Sequence, residues 1–187
     1  MAITFVRHGE TEANKLRKYY GKTDLPLNMT GMNQMRAVAR QLEAYDCNLI
    51  IHSGLTRARQ SAEIIMNENC LSNIEIELNN NYNERDFGSW EMLDANQIKS
   101  LYPEDWNNFI NDPFNTTPLK AESYKAFQNR VNTEFQLLID ELKSTDSILF
   151  VGHGGVIREI IANFFAKDIN YWDIRVECGR VYRYELG

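Results

Sequence analysis

Short apolar runs alternate with longer segments of helical periodicity in this 187-residue chain, and that alternation limits its fold more than any other feature. The apolar runs are 3–6, 49–51, 74–78 and 148–151. The first, second and fourth lack the polar alternation of a strand with one wet face, which indicates strands covered on both sides. We therefore predict a single α/β domain over 1–187, a three-layer α/β/α sandwich with a mostly parallel central sheet.

Four helices are predicted between and after these strands. Thr30 is the expected N-cap of the first helix and Ser123 that of the third, because their hydroxyls can accept an N–H of the first turn. The residues Ala58, Ala62, Ile65 and Met66 mark the second helix, and the fourth runs from about 156 to 165. In the closing segment, polar and apolar residues alternate over 181–184, which predicts an edge strand. The predicted inward-facing helix residues are Met35, Val38, Leu42, Ala58, Ala62, Ile65, Met66, Tyr124, Phe127, Val131, Phe135, Leu138 and Leu142.

The segment 79–120 differs from the rest, with weak periodicity, three of the four prolines and two of the three tryptophans. We expect an irregular excursion with short helices, folded over one edge of the sheet. Trp90, Tyr102, Trp106 and Phe109 are expected to form its core, with one or two of them lining a pocket. Sites in open α/β sheets lie beyond the carboxyl ends of the strands, where this excursion would act as a lid.

The charge and cysteine content exclude several classes of protein. A formal net charge of −6 argues against nucleic acid or an anionic membrane as partner, since either needs a basic face. A small anionic substrate remains compatible if a local cationic pocket binds it. Cys47, Cys70 and Cys178 form no CxxC pair, and the sequence shows neither a signal peptide nor an apolar run of membrane length. We predict a reduced, cytoplasmic protein.

Two of the three histidines follow predicted strands in matching contexts. His8 and His153 each end an apolar run and precede a glycine, whose missing side chain lets a ligand approach the backbone. Parallel strands end at one edge of a sheet, so we expect both imidazoles at one site, where a structural or a functional role fits. The third histidine, His52, also ends a strand, and a structural role is favoured over contact at the rim of the site.

Arg57 stands in the first turn of the helix that follows the second strand. A cation there opposes the helix dipole unless an anion binds beside it. The planar guanidinium fork suits two phosphoryl oxygens. We therefore interpret Arg57 as an anion-binding residue and Arg59 as a solvated helix charge.

Longer motifs follow one another along the whole chain. In order they are Arg7-His8-Gly9-Glu10-Thr11 with Asn14, Gly21 with Asp24-Leu25-Pro26-Leu27 and Thr30-Gly31, Ser53-x-Leu55-x-Arg57-Ala58-x-Gln60-Ser61-Ala62, Glu84 with Gly88-x-Trp90-Glu91, and Gly152-His153-Gly154-Gly155. Together they resemble the histidine phosphatase superfamily, the phosphoglycerate-mutase-like group, over nearly the full length. The resemblance implies that group's fold.

The resemblance also implies a role for each motif residue. His8 would be the nucleophile that takes the phosphoryl group, and Glu84 the proton donor to the leaving group. The implied phosphate-binding residues are Arg7, Asn14, Arg57, His153 and Gly154. A neutral imidazole is a competent nucleophile near pH 7, and neighbouring arginines would keep it neutral.

The implied activity is that of a metal-independent phosphomonoesterase, acting through a phosphohistidine on a small phosphorylated metabolite. No metal or other cofactor is expected, because the arginines beside His8 and His153 would repel a cation. Glu122-Ser123 and Arg130-Val131 resemble the alpha-ribazole phosphate phosphatase branch of cobalamin biosynthesis. The alternatives are a broad-specificity sugar-phosphate phosphatase, a cofactor-dependent phosphoglycerate mutase, whose chains are usually longer, and an inert regulatory protein on the same fold.

Overall fold

The computed structural model describes residues 1–43, 45–69, 71 and 74–185. Its strands are β1 (Ala2–Arg7), β2 (Leu49–His52), β3 (Glu75–Leu78), β4 (Ser147–Gly152) and β5 (Val181–Glu185). Its α-helices are α1 (Glu12–Lys15), α2 (Met29–Gln41), α3 (Thr56–Glu68), α4 (Ala95–Leu101), α5 (Pro103–Asn111), α6 (Tyr124–Glu141) and α7 (Gly154–Ile160). Single 3₁₀ turns occupy Asn80–Tyr82, Gly88–Trp90 and Tyr171–Asp173, and a π turn, Ile161–Phe165, extends α7.

The five strands form one sheet in the order β3-β2-β4-β1-β5. The first four are parallel, and β5 pairs antiparallel with β1 at one edge. Both the mostly parallel sheet and the predicted edge strand are confirmed. The central strand β4 is fully buried from Ile148 to Val151, which explains why its sequence shows no alternation.

Helices cover both faces of this sheet, so the predicted three layers are confirmed. Neighbouring residues of a strand point to opposite faces. On one face Phe5 packs in a cluster with Phe127 and Phe135 of α6. On the other face its neighbour Val6 packs in a cluster with Met35 of α2 and Ile65 of α3.

The start of α6 agrees with the prediction, and the starts of α2 and α7 differ from it. Ser123 caps α6, because its hydroxyl accepts the Ala126 N–H at 3.1 Å. Thr30 is not the cap of α2. Asn28 is the N-cap instead, since its side-chain oxygen accepts the Gly31 N–H at 2.8 Å. The cap therefore lies two residues earlier in the sequence than predicted. The last helix also begins earlier than predicted, at Gly154.

The segment 79–120 contains two 3₁₀ turns and the short helices α4 and α5. From the edge strand β3 it crosses to the carboxyl ends of the inner strands, where Leu93 pairs with Tyr19 in the loop after β1. There the Glu91 carboxylate accepts the backbone N–H groups of Gly21 and Thr23. The segment thus covers the carboxyl ends of the strands, the place expected for a lid, and does not fold over a side edge of the sheet as its sequence predicts.

The cysteines and the helix lengths bear on two further predictions. Cys47 and Cys178 are free thiols, and Cys70 lies outside the described residues. Within the described ranges, no helix has the length and apolar character needed to cross a bilayer.

Candidate active site

The strand register brings the two predicted histidines together. Arg7 is paired with Gly152, so the residues that follow them, His8 and His153, leave the sheet side by side. The His8 N–H donates to the Gly152 carbonyl at 2.9 Å. The two imidazole centroids lie 5.2 Å apart, which makes a single site of two positions 145 residues apart in the sequence.

The His8 ring is held in one tautomer. Its Nδ1 lies 2.7 Å from the Gly9 carbonyl oxygen, and because a carbonyl can only accept, Nδ1 carries the proton. The lone pair is therefore on Nε2. Burial first, then the charges of Arg57 and Arg7, hold the pKa of His8 well below its ordinary value of 6.5. His8 is neutral at pH 7 with a free nitrogen lone pair.

His153 is neutral for the same reasons and carries an unsatisfied atom. Burial, followed by the charge of Arg57, lowers its pKa well below 6.5. Its Nε2 lies 2.6 Å from the Ser53 hydroxyl. Its Nδ1 is buried and has no hydrogen-bond partner within the described part of the chain. If the Ser53 hydroxyl donates to Nε2, the ring proton is on Nδ1 and can donate to a bound oxygen.

Arg57 is a buried cation that forms no ion pair with any described residue. Only 1% of its surface is exposed, and its two terminal nitrogens donate to the carbonyls of Thr23 and Gly21 at 3.0 and 2.8 Å. Its guanidinium lies 4.6 Å from the centroid of the Tyr20 ring. Among the described residues no carboxylate comes within 4.0 Å of it. A buried charge without a counter-ion favours binding of an anion from solution.

Arg7 approaches the same place from the end of β1. One terminal nitrogen donates to the Val176 carbonyl at 2.6 Å, and its Nε is buried without a partner among the described residues. A side chain on Gly154 would sit 3.1 Å from the guanidinium carbon, so the glycine makes room for this arginine. We call Arg7, His8, Arg57 and His153 the histidine–arginine cluster.

Asn14 reaches the histidine–arginine cluster through Tyr20, a residue that the sequence interpretation missed. The Asn14 side-chain oxygen accepts from the Tyr20 hydroxyl at 2.8 Å and from the Thr11 N–H at 3.1 Å. With its oxygen so engaged, the amide N–H groups of Asn14 remain as donors. Tyr20 in turn lies under the guanidinium of Arg57.

Glu84 lies at the start of α7, against Gly155, the residue after the glycine that makes room for Arg7. Its two carboxylate oxygens accept from the Gly155 N–H at 2.8 Å and from the Arg85 N–H at 3.0 Å. A Cβ on residue 155 would lie 2.3 Å from the nearer oxygen. Only glycine at this position lets the carboxylate come so close to the helix.

Arg130 fixes the backbone that carries Glu84, a function that the sequence interpretation did not assign to it. Its Nε and Nη2 bind the two oxygens of Glu122 at 2.7 and 2.8 Å. The same guanidinium donates to the carbonyls of Asn81, Asn83 and Glu84 at 2.7, 2.8 and 3.3 Å. These partners lie 46 to 49 residues away in the sequence, and no local pattern indicates the contact.

A cavity of about 280 Å³ opens beside Glu84 and Gly155. Its walls are mostly aromatic, and we call it the aromatic cavity. Phe109 lines it, as expected for one or two aromatic residues of the excursion, whereas Trp90 is fully buried in the core. The other aromatic walls are Tyr19, Phe87, Phe114, Tyr124, Phe127, Tyr171 and Trp172.

His52 lies apart from the aromatic cavity. Its Nδ1 is 2.7 Å from the Ser53 carbonyl, and the ring is buried. This contact fixes the end of β2 from which Ser53 reaches His153. In the ranges that the structure covers, no group of three or more His, Cys, Asp or Glu side chains is arranged to hold a metal ion.

Comparison with known proteins identifies the family of this chain. The profile of the histidine phosphatase superfamily (branch 1) matches residues 3–187. The chain belongs to the histidine phosphatase superfamily.

Curated relatives in this superfamily include phosphatases of similar length. The adenosylcobalamin/alpha-ribazole phosphatase of Escherichia coli is 29% identical over 180 residues, which cover 96% of this chain and 87% of that protein. The uncharacterized phosphatase PhoE of Bacillus subtilis is 36% identical over 167 residues, with 89% and 79% covered. The crystal structure of the alpha-ribazole phosphatase from Shigella flexneri superposes with a TM-score of 0.90 at 27% identity, covering 100% and 91%. This histidine phosphatase chain is therefore a phosphatase enzyme with a phosphoglycerate-mutase-like fold.

Proposed function

We propose that the protein hydrolyses phosphomonoesters in two steps through a phosphohistidine on His8. The observation that carries the proposal is the neutral, single tautomer of His8 beside the buried Arg57 and the partly buried Arg7. In the first step Nε2 of His8 attacks phosphorus and the bond to the leaving oxygen breaks, while Glu84 gives its proton to that oxygen. In the second step water attacks phosphorus, Glu84 takes the proton, and the P–N bond breaks.

The phosphoryl group would lie within the histidine–arginine cluster. Phosphoryl transfer depends mainly on positioning and on positive charge around the equatorial oxygens. Arg7 and Arg57 supply two charges that no carboxylate neutralises among the described residues. The unsatisfied Nδ1 of His153 and the amide of Asn14 supply further donors, so the proposed reaction uses no metal.

Glu84 is the group best situated to serve the leaving oxygen. It borders both the start of α7 and the aromatic cavity. The cavity would then hold the leaving group while the histidine–arginine cluster holds the phosphoryl group. General acid catalysis of this kind contributes about 10²–10⁴-fold.

Alpha-ribazole phosphate is the first specific substrate to test. The names of the Escherichia coli and Shigella flexneri relatives support it. Alpha-ribazole is a nucleoside with a planar benzimidazole base, and aromatic walls suit a planar ring. A broad-specificity phosphatase would hydrolyse sugar phosphates equally well, and a mutase would need added bisphosphoglycerate.

The test measures initial rates on 4-nitrophenyl phosphate with chelator present. We expect His8→Ala to abolish turnover and the wild-type enzyme to be unaffected by the chelator. A variant of the solvated Arg59, Arg59→Gln, is the control for handling and should keep full activity, because Arg59 pairs with Glu63 at the surface. Wild-type rates in a folded His8→Ala enzyme would rule out the proposed mechanism, and an inert wild-type enzyme would favour a regulatory protein.

A further inference from the structure

The aromatic cavity contains two cations that the proposed reaction does not use. Arg85 directly follows Glu84, and Arg158 lies three residues after Gly155 in α7. Residues three apart share one face of a helix, so Arg158 lies on the side of α7 that meets Glu84. Both arginines line the cavity.

Neither cation is neutralised by an acid in the described ranges, where no carboxylate lies within 4.0 Å of either. Arg85 is only 7% exposed, and its hydrogen bonds go to the carbonyls of Glu122 and Thr116. Arg158 donates from Nε to the Ile174 carbonyl at 2.9 Å. The hydrogen bonds of the described residues leave Nη1 of Arg85 and both terminal nitrogens of Arg158 free to bind a ligand.

The nearest acids are engaged elsewhere. Both oxygens of Glu122 bind Arg130. The fully buried carboxylate of Glu159 accepts from three neutral side chains, those of Tyr124, Asn132 and Asn163. The Glu84 carboxylate accepts from the backbone N–H groups of Gly155 and Arg85, and within the described residues it forms no ion pair with either arginine.

The aromatic rings around these cations leave room for one small body. Arg158 lies 5.4 Å from the Tyr171 ring centroid and 5.8 Å from that of Trp172. Arg85 lies 5.9 Å from the ring centroids of both Phe87 and Tyr124. With a volume of about 280 Å³, the cavity suits a single apolar body the size of a ring.

We propose that the aromatic cavity is a second anion site, and that the preferred leaving groups have a ring-sized apolar body bearing a carboxylate. The inference rests on the proposed function and narrows its substrate class. A planar carboxylate matches the guanidinium fork, and the protein is otherwise acidic, with a net charge of −6. Alpha-ribazole has a ring but no acidic group, so its phosphate should be a poorer substrate than a carboxylate-bearing ester.

The test compares 4-carboxyphenyl phosphate with 4-carbamoylphenyl phosphate, which has nearly the same shape and no negative charge on the ring substituent. We expect kcat/KM of the wild-type enzyme to be about 10-fold or more higher for the carboxylate, the effect of a hydrogen bond to a charged group. Arg158→Gln and Arg85→Gln should each bring the ratio of the two kcat/KM values close to one. Arg59→Gln is the matched control and should keep the wild-type ratio.

The outcomes separate this inference from the proposed function. A wild-type ratio near or below one, with rapid hydrolysis of both esters, overturns the second anion site and leaves the phosphatase mechanism standing. A high ratio that survives in both Arg158→Gln and Arg85→Gln also overturns it. Failure of the wild-type enzyme to hydrolyse either ester, or 4-nitrophenyl phosphate, overturns both proposals. The ratio is internal to each variant, so partial loss of folded protein does not change it.

Discussion

The histidine–arginine cluster and the aromatic cavity both border the start of α7 but are built in different ways. Side chains at the ends of β1 and β4 and the start of α3 form the cluster, and the register of a buried parallel sheet sets their spacing. Most of the cavity walls come from loops and short helices, with Tyr124 and Phe127 added by the long helix α6, and the rim residue Trp172 is 51% exposed. A rigid scaffold suits the phosphoryl group common to all substrates, and loops suit the leaving group that varies.

The largest expected effect comes from the cluster side. Arg57→Gln removes a buried charge from the phosphoryl site, and we expect kcat/KM to fall by about 10³-fold or more on every phosphomonoester, since the phosphoryl group is shared. Initial rates on an aryl and an alkyl phosphate measure this. A loss confined to one substrate would break the division between cluster and cavity.

Glu84→Gln should have a large effect that depends on the leaving group. We expect kcat to fall by about 10²–10⁴-fold for alkyl phosphates, whose alkoxide needs a proton. For 4-nitrophenyl phosphate the fall in the first step should be small, because nitrophenolate leaves unaided. The measurement is kcat over a series of leaving groups of increasing pKa, and equal losses across the series would contradict the role of Glu84 as acid.

Gly155→Ala tests the position of Glu84 with a smaller change, because it moves the carboxylate and does not remove it. The added methyl group would lie 2.3 Å from a carboxylate oxygen of Glu84, so the acid must move. A displacement of about 1 Å costs on the order of 10²-fold, and we expect that loss for alkyl phosphates but a smaller one for 4-nitrophenyl phosphate. If Gly155→Ala hydrolyses alkyl phosphates at the wild-type rate, catalysis does not depend on the position of the Glu84 carboxylate.

The smallest predicted effect is on stability and tests the burial of the cluster. The folded pKa values of His8 and His153 lie well below 6.5, so below pH 6.5 the unfolded chain binds protons that the folded chain does not. The free energy of unfolding therefore falls as the pH is lowered, by about 1 kcal/mol per histidine between pH 6.5 and 5.5.

Urea unfolding at these two pH values measures that effect. The matched variant is His8→Gln/His153→Gln, which lacks both groups and should lose about 2 kcal/mol less than the wild-type enzyme over the same interval. An identical pH dependence in the two proteins would show that the imidazoles are not desolvated in the folded state.

The sequence predicted the cluster better than the cavity, for a physical reason. Parallel strands end together, so His8 and His153 could be assigned to one site from their positions after two apolar runs. The hydrogen bonds of Arg130 to the backbone near Glu84 and the contact of Tyr20 with Arg57 join chain segments that meet only in the folded protein. The same holds for the path of the segment 79–120, and for Arg85 and Arg158, which gain their significance from the cavity they share.

Trapping of the phosphorylated enzyme tests the central claim most directly. The wild-type enzyme is mixed with an excess of a fast aryl phosphate labelled in its phosphoryl group, quenched in base within one turnover, and analysed by peptide mapping. We predict a phosphate that is stable in base, labile in acid and attached to His8, with none in His8→Ala. Turnover without labelled protein, or label on another residue, would contradict a phosphohistidine at His8.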